Sequence, residues 1–296
     1  MINELDAKKF SEKDIRVYKI RWVMLTLFVI AFACSSIQWV QYSIIADIVM
    51  DYYGVTSEAV NWTAMIYQLT YAVFSLGGSY VLNVLGLRSS LLLGMLLASV
   101  GAWIKMGSLS PDRFWVVLLG QTVVGISQVF VVQAPSKLAA AWFGSKEVSS
   151  ACSIGIFGGQ LGIAIGFVIP PLLVKNDMDV DAVEKGMYTM LMATAVLNSV
   201  VLILIHVFFE DHPLSPPSLA QLEKEQTQEK SVSFTQSLKS LFSNPSYCLF
   251  ILCVGINAGV YFAVSQLFNE IILAYYPDGN TDAGTIGLVF TTTGMI

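Results

Sequence analysis

Charge is what this sequence has least of. Sixteen Lys and Arg and 21 Asp and Glu make up 12% of its 296 residues, against about 25% in a soluble domain. That excludes a disordered protein, a coiled coil and an ordinary soluble enzyme. Acids outnumber bases, for a net charge of −5, which argues against a nucleic-acid partner. Histidine is scarce too, and His206 and His212 alone cannot form a His-rich metal or haem ligand set. The four cysteines, Cys34, Cys152, Cys248 and Cys253, lie inside apolar runs. There they read as small core residues rather than disulfide partners or metal ligands. Phosphate loop, nucleophile elbow and HExxH motif are all missing. The expectation is no enzyme, no catalytic residue, no cofactor and no metal.

What is there is apolar, 55% of the chain, and it comes in long runs. The opening 20 residues are polar and do not read as a signal peptide. Runs long enough to cross a bilayer follow near 22–48, 60–84, 89–109, 114–140, 148–174, 187–209 and 246–273. An eighth begins near 285 and meets the last residue, Ile296. The fold class expected is therefore an all-α polytopic membrane protein, with the lipid bilayer as a partner. Of the 16 basic residues, Lys105, Arg113, Lys175 and Lys185 fall on one side of these spans and the other 12 on the opposite side. By the positive-inside rule the N-terminus is cytoplasmic.

Residues 210–245 break the pattern with Pro213, Pro216, Pro217 and mixed charge. They read as a cytoplasmic linker. Within it Phe234, Leu238, Leu241 and Phe242 share one helical face, which suits a helix on the membrane surface, with a disordered linker as the alternative. The domains expected are a cytoplasmic N-terminus at 1–20, a six-helix bundle at 21–209, the linker at 210–245 and the start of a second bundle at 246–296. That layout resembles the major facilitator superfamily, a complete N-terminal half followed by the start of the C-terminal half. On this reading the chain is truncated in span 8. The loop Asn83-Val84-Leu85-Gly86-Leu87-Arg88 resembles a degraded form of the superfamily's loop signature, with Asn83 in place of the usual acid.

Spans 1 to 7 carry essentially no charge in their middles; Asp47, Lys105 and Glu270 lie near ends. Proton-coupled carriers use buried carboxylates or histidines as relays, so the pattern favours a uniporter. The polar content of the interior is aromatic and amide instead. Span 1 holds Gln38, Trp39, Gln41 and Tyr42; span 4 holds Gln121, Gln128 and Gln133; span 5 holds Gln160; span 7 holds Asn257, Tyr261, Phe262 and Gln266. Buried amides need partners, so they serve either interhelical hydrogen bonds or a polar pathway. Rings without a carboxylate suit a quaternary ammonium, which has no N–H to donate and is held by ring faces. Gly158, Gly162 and Gly166 line one face of span 5, at the spacing that lets helices approach closely. Asn61-Trp62-Thr63 is a glycosylation sequon that lies against the membrane, and it is expected to stay unmodified.

The segments Gln38-Trp39-Val40-Gln41-Tyr42-Ser43, Gly101-Ala102-Trp103-Ile104-Lys105, Gln128-Val129-Phe130, Trp142-Phe143-Gly144, Gln160-Leu161-Gly162 and Asn257-Ala258-Gly259 occur in order and in successive spans. In them the chain resembles the feline leukaemia virus subgroup C receptor-related transporters of the major facilitator superfamily, from about residue 20 to the end. The resemblance implies facilitative transport of choline and ethanolamine. Haem export is the alternative, and a non-transporting receptor or regulatory fragment a further one. It implies a substrate site of Trp39, Gln128 and a span 7 ring, Tyr261 or Phe262, with Gln38, Gln41, Tyr42, Gln160 and Asn257 as cavity-lining candidates. The family's aromatic order on span 7 is Phe-Tyr, whereas Tyr261 precedes Phe262 here. The plasma membrane is the location expected, with the mitochondrial and endoplasmic reticulum membranes as alternatives.

Overall fold

A computed structural model describes residues 15–175, 180–219, 221–222, 234–276 and 279–294. Every regular element among them is helical. In chain order these are α1 (Arg21–Val40), a 3-10 turn (Ser43–Ile45), α2 (Ala46–Tyr53), α3 (Ser57–Leu85), α4 (Leu87–Met106), α5 (Phe114–Val131), α6 (Ala134–Trp142), α7 (Val148–Leu173), α8 (Val180–Phe208), α9 (Phe234–Phe242), α10 (Pro245–Gln266), α11 (Phe268–Leu273) and α12 (Asn280–Thr293). Six stretches are long and apolar enough to cross a membrane: Arg21–Tyr53, Leu87–Met106, Phe114–Trp142, Val148–Leu173, Val180–Phe208 and Pro245–Gln266. The 29-residue α3 has the length, but Tyr67, Gln68, Thr70, Tyr71, Ser75 and Ser79 dilute its apolar character.

Three spans are not single helices. Span 1 breaks after Val40 and resumes as α2; span 4 breaks between α5 and α6; span 7 breaks at Leu267. The first two breaks hold uncharged residues only, Gln41, Tyr42 and Ser43 in one and Val132 and Gln133 in the other, with no glycine or proline inside either to mark them. Conversely, α7 runs through Pro170 and Pro171 and ends only two residues later. Each proline forfeits the bond to the carbonyl four residues back, of Gly166 and Phe167, a loss that transmembrane helices accommodate by local adjustment and neighbouring helices.

The α1–α7 pair is held by backbone proximity. A Cβ on Gly162 would lie 2.2 Å from the Ala33 carbonyl oxygen, and one on Gly158 2.9 Å from that of Val29. Such a seam replaces side-chain interdigitation by close van der Waals contact. Two clusters of buried residues stack along the bundle. One, around Met24, Phe28, Leu91, Trp142 and Phe209, fills the end where α1 and α4 begin. The other, around Trp39, Tyr42, Val117, Phe167 and Phe268, fills the opposite end.

The end where α1 and α4 begin carries Arg21 and Arg88. Arg21 pairs with Glu147 at 3.0 Å and lies over the rings of Trp22 and Phe143, 5.6 and 5.5 Å from their centroids. In the loop after α3, Gly86 adopts φ +84°, a conformation natural only to glycine. The Oδ1 of Asp211 accepts from the Arg88 backbone N–H there at 2.8 Å, satisfying a donor left free at the start of α4. The carboxylate in this loop therefore comes from beyond α8 and caps α4. The first part of the linker is tied down as well, by Tyr18–Ser215 at 3.2 Å and by the Arg16 N–H to the Pro216 carbonyl at 3.3 Å. Further on, α9 leaves Leu241 and Phe242 exposed; the Phe234 side chain lies outside the described residues.

Candidate functional site

Trp39 occupies the last turn of α1, immediately before the break, and is buried. Phe262 of α10 meets it edge to face, with ring centroids 5.1 Å apart. Tyr261 lies beside Phe262 at 5.6 Å and stacks on Phe290 of α12 at 5.7 Å and 12°. Its hydroxyl donates to Gln160 Oε1 on α7 at 2.8 Å. A cluster of rings and one amide thus draws on α1, α7, α10 and α12. No acidic residue occurs in α1, α7 or α10. The C-terminal end of α1 supplies negative potential instead, since its last carbonyls lack intrahelical partners and carry the negative end of the helix dipole.

The inverted span 7 pair sends its two rings to different work. Phe262 faces Trp39, while the Tyr261 phenol is spent on Gln160. Gln128 lies one helical turn below Trp39, where its Nε2 bonds the Oγ of Ser35. It shares the α1–α5 interface with the cluster's base rather than touching the rings.

The remaining candidates separate. Gln38 turns away, its Nε2 donating to the Ala98 carbonyl on α4 at 3.4 Å. It sits within the packed bundle, because the position before Trp39 is rotated by about 100° around the helix. Tyr42 also faces α4, with Lys105 Nζ 5.8 Å from its ring centroid. Gln41 is fully buried beside it. Asn257 is exposed on α10 and bonds the Cys253 carbonyl of its own helix at 2.9 Å. Sequence reading passed over Phe290, Ser35 and above all Lys105. The signal for Lys105 was a charge inside the last turn of an otherwise apolar helix, and the structure buries it fully.

Two further features frame the cluster. Toward the end that carries Arg21, a cavity of about 490 Å³ opens between α3 and α6, lined by Ser79, Asn83, Gln133 and Lys137 among others. At the opposite end, α11 and the last residue of α10 are bonded to the first half of the chain. Asn269 Nδ2 donates to the Ile44 carbonyl in the 3-10 turn at 2.8 Å. Gln266 Nε2 donates to the Asn61 carbonyl at 2.9 Å. Asn61 Nδ2 donates to Glu270 Oε1 at 2.9 Å, and Ser57 Oγ bonds the same oxygen. The sequon asparagine therefore spends its amide on Glu270.

Residues 25–296 match the Major Facilitator Superfamily. The chain belongs to the major facilitator superfamily. It is 44% identical over 288 residues to an uncharacterised MFS-type transporter of Caenorhabditis elegans, covering 97% of this chain and 49% of that protein. It is 41% identical over 288 residues to the choline/ethanolamine transporter flvcr2b of Danio rerio, covering 97% and 59%. With the human choline/ethanolamine transporter FLVCR2 the identity is 39% over 282 residues, covering 95% and 54%. The resemblance to the feline leukaemia virus subgroup C receptor-related branch of the superfamily therefore extends along nearly the whole chain. The chain spans about half to three fifths of the length of these relatives. Among solved structures, a bacterial homologue of the human lysosomal transporter Spinster, inward-facing and unoccupied, shares the fold at a TM-score of 0.75 with 12% identity, covering 93% of this chain and 60% of that one. The chain is an integral multi-pass membrane protein of this superfamily.

Proposed function

We propose that the chain forms the N-terminal half, and the beginning of the C-terminal half, of a facilitator for choline and ethanolamine. The observation that carries this reading is the Trp39–Phe262 contact. Two rings from different halves meet at the negative end of a broken helix, in helices that hold no carboxylate. Such a place stabilises a cation with few or no N–H donors, through ring faces worth about 0.5–2 kcal/mol each when desolvated and through the helix end. An anion would meet the wrong sign of potential. The two relatives named for choline and ethanolamine support the same substrate class.

In this reading 21–209 is one bundle and 246–296 opens the second, joined by the linker at 210–245. The end carrying Arg21 and Arg88 is cytoplasmic. The roughly 490 Å³ cavity is the vestibule on that side, while Glu270, Asn61, Asn269 and Gln266 shut the opposite one. Trp39 and Phe262 hold the ammonium, Gln128 meets the hydroxyl end a turn below, and Tyr261 with Gln160 fixes the angle of span 7. Haem finds less here: the buried amine of Lys105 is engaged by Gln121 at 3.3 Å and is not open to a propionate.

The test is uptake of labelled choline, ethanolamine and haem by the full-length protein in proteoliposomes. Choline and ethanolamine should enter down their gradients and compete with each other, and collapsing a pH gradient at constant voltage should leave flux unchanged. Haem flux without choline flux would overturn the proposal.

A further inference from the structure

The break in span 1 is clasped from both sides. Before it, the Gln38 carbonyl accepts from Gln121 Nε2 of α5 at 3.0 Å. After it, Tyr42 lies with its ring centroid 5.8 Å from Lys105 Nζ of α4. The two clasping residues are joined, since Lys105 Nζ donates to Gln121 Oε1 at 3.3 Å. All four side chains are fully buried. Between the two clasped points stands Trp39.

The slot for this lysine is built. A Cβ on Gly120 would come within 2.4 Å of Lys105 Cγ and 2.9 Å of the Gly101 carbonyl oxygen. α4 and α5 therefore meet backbone to backbone, and the lysine stem lies across the bare face of Gly120. A fully buried amine is costly inside a membrane protein, and simple packing would be served better by leucine. Its position is explained by what it holds. A helix that stops in the membrane leaves carbonyls without partners; Gln121 satisfies one of them, and Lys105 fixes the orientation of the Gln121 amide by occupying its oxygen. The chain's direction after Val40, and hence the plane of the Trp39 ring, is set by this pair.

We propose that Lys105 and Gln121 are positioning residues for Trp39: they do not touch substrate but set the affinity of the site by holding the break that presents the tryptophan. The inference rests on the reading of Trp39 as part of the substrate site. It predicts that Lys105→Met and Gln121→Met each raise the KM for choline by roughly threefold to tenfold, a part of what losing one cation–π wall would cost. The maximal rate per transporter at the surface should hold. Gln121→Glu keeps an acceptor for Lys105 but has no N–H for the Gln38 carbonyl, so its KM should rise as well.

A double-mutant cycle on the full-length protein decides the matter, with surface abundance measured for every variant. In a Trp39→Ala background, Lys105→Met and Gln121→Met should add no further increase in KM. Multiplicative increases there would overturn the inference while leaving Trp39 in the site. A Trp39→Ala variant with unchanged KM would instead overturn the site itself. Stability is separated by the double variant Lys105→Met/Gln121→Met, in which neither member of the pair is left buried without the other and only the Gln38 carbonyl loses its donor. Its surface abundance should recover while its KM stays raised. A KM that returned to normal together with abundance would reduce the pair to structural support.

Discussion

Glu270 of α11 and Asn61 of α3 lie 209 residues apart in the chain and share a hydrogen bond of 2.9 Å. Asn61 stands in the second turn of α3, and Ser57 at its first residue bonds the same carboxylate oxygen. The carboxylate thus sits at the positive end of a helix dipole on the other half of the molecule. A hydrogen bond to a charged group contributes about 1.5–3 kcal/mol. Glu270→Ala should shift the balance toward opening at that end by about fivefold for each kcal/mol lost. Buried Ser265, replaced by cysteine in a background lacking the native cysteines, should then react faster with an impermeant thiol reagent applied from that side. An unchanged labelling rate would show that the closure does not depend on Glu270.

Trp39→Ala removes one wall of the ring cluster. Binding of choline should weaken by about tenfold to a hundredfold, equivalent to roughly 1–3 kcal/mol. Trp39→Phe should keep part of the affinity because a ring face remains, and Phe262→Ala should resemble Trp39→Ala. Gln128→Ala should cost less and blunt discrimination between choline and analogues without the hydroxyl. Saturation uptake curves, normalised to surface protein, check all four.

Gly162→Ala should destabilise the detergent-solubilised protein. Even a single methyl would meet the Ala33 carbonyl oxygen at 2.2 Å, and overpacking of this sort costs about 1–3 kcal/mol. Gly77→Ala, with nothing within 4 Å of its Cβ position, should be neutral or slightly stabilising through helix propensity. Thermal unfolding of the two variants side by side gives the comparison, and equal losses would remove the close-approach account of the α1–α7 seam.

Orientation rests on the 12 to 4 split of the 16 basic residues. Epitope tags at residue 1 and near residue 225 should be protected from external protease in intact cells, and a tag near residue 180 should be cleaved. Cleavage of the first two from outside would invert the assignment.

The helices were legible because each apolar run is bounded by charge or by a glycine turn, as at Arg113 before α5 and Gly86 after α3. The breaks were not. Gln41, Tyr42 and Ser43 are polar but uncharged, as are Ser35, Ser36 and Gln38 inside the helix before them, and no glycine or proline announces that the backbone stops being helical. What permits the break is supplied from far away, by Gln121 on Gln38 and Asn269 on Ile44. Asp211 at Arg88 is of the same kind, a carboxylate 123 positions downstream that caps α4. Trp39, Tyr261, Phe262 and Gln160 were readable as unusual polar or aromatic content in apolar spans, and the structure gathers those four. The same signal also marked Gln38 and Asn257, which satisfy backbone carbonyls elsewhere, because composition does not say which way a side chain turns.

Phe167 of α7 gives the junction between the two halves a particular mechanical character. Its ring lies against Gly287 of α12, where a Cβ would come within 2.8 Å, and its carbonyl oxygen lies 2.6 Å from the Cβ position of Gly284. This junction is a close seat: any side chain at 284 or 287 would lift α12 off α7, so van der Waals contact holds the halves together here beside the hydrogen bonds that α10 and α11 make to the first half.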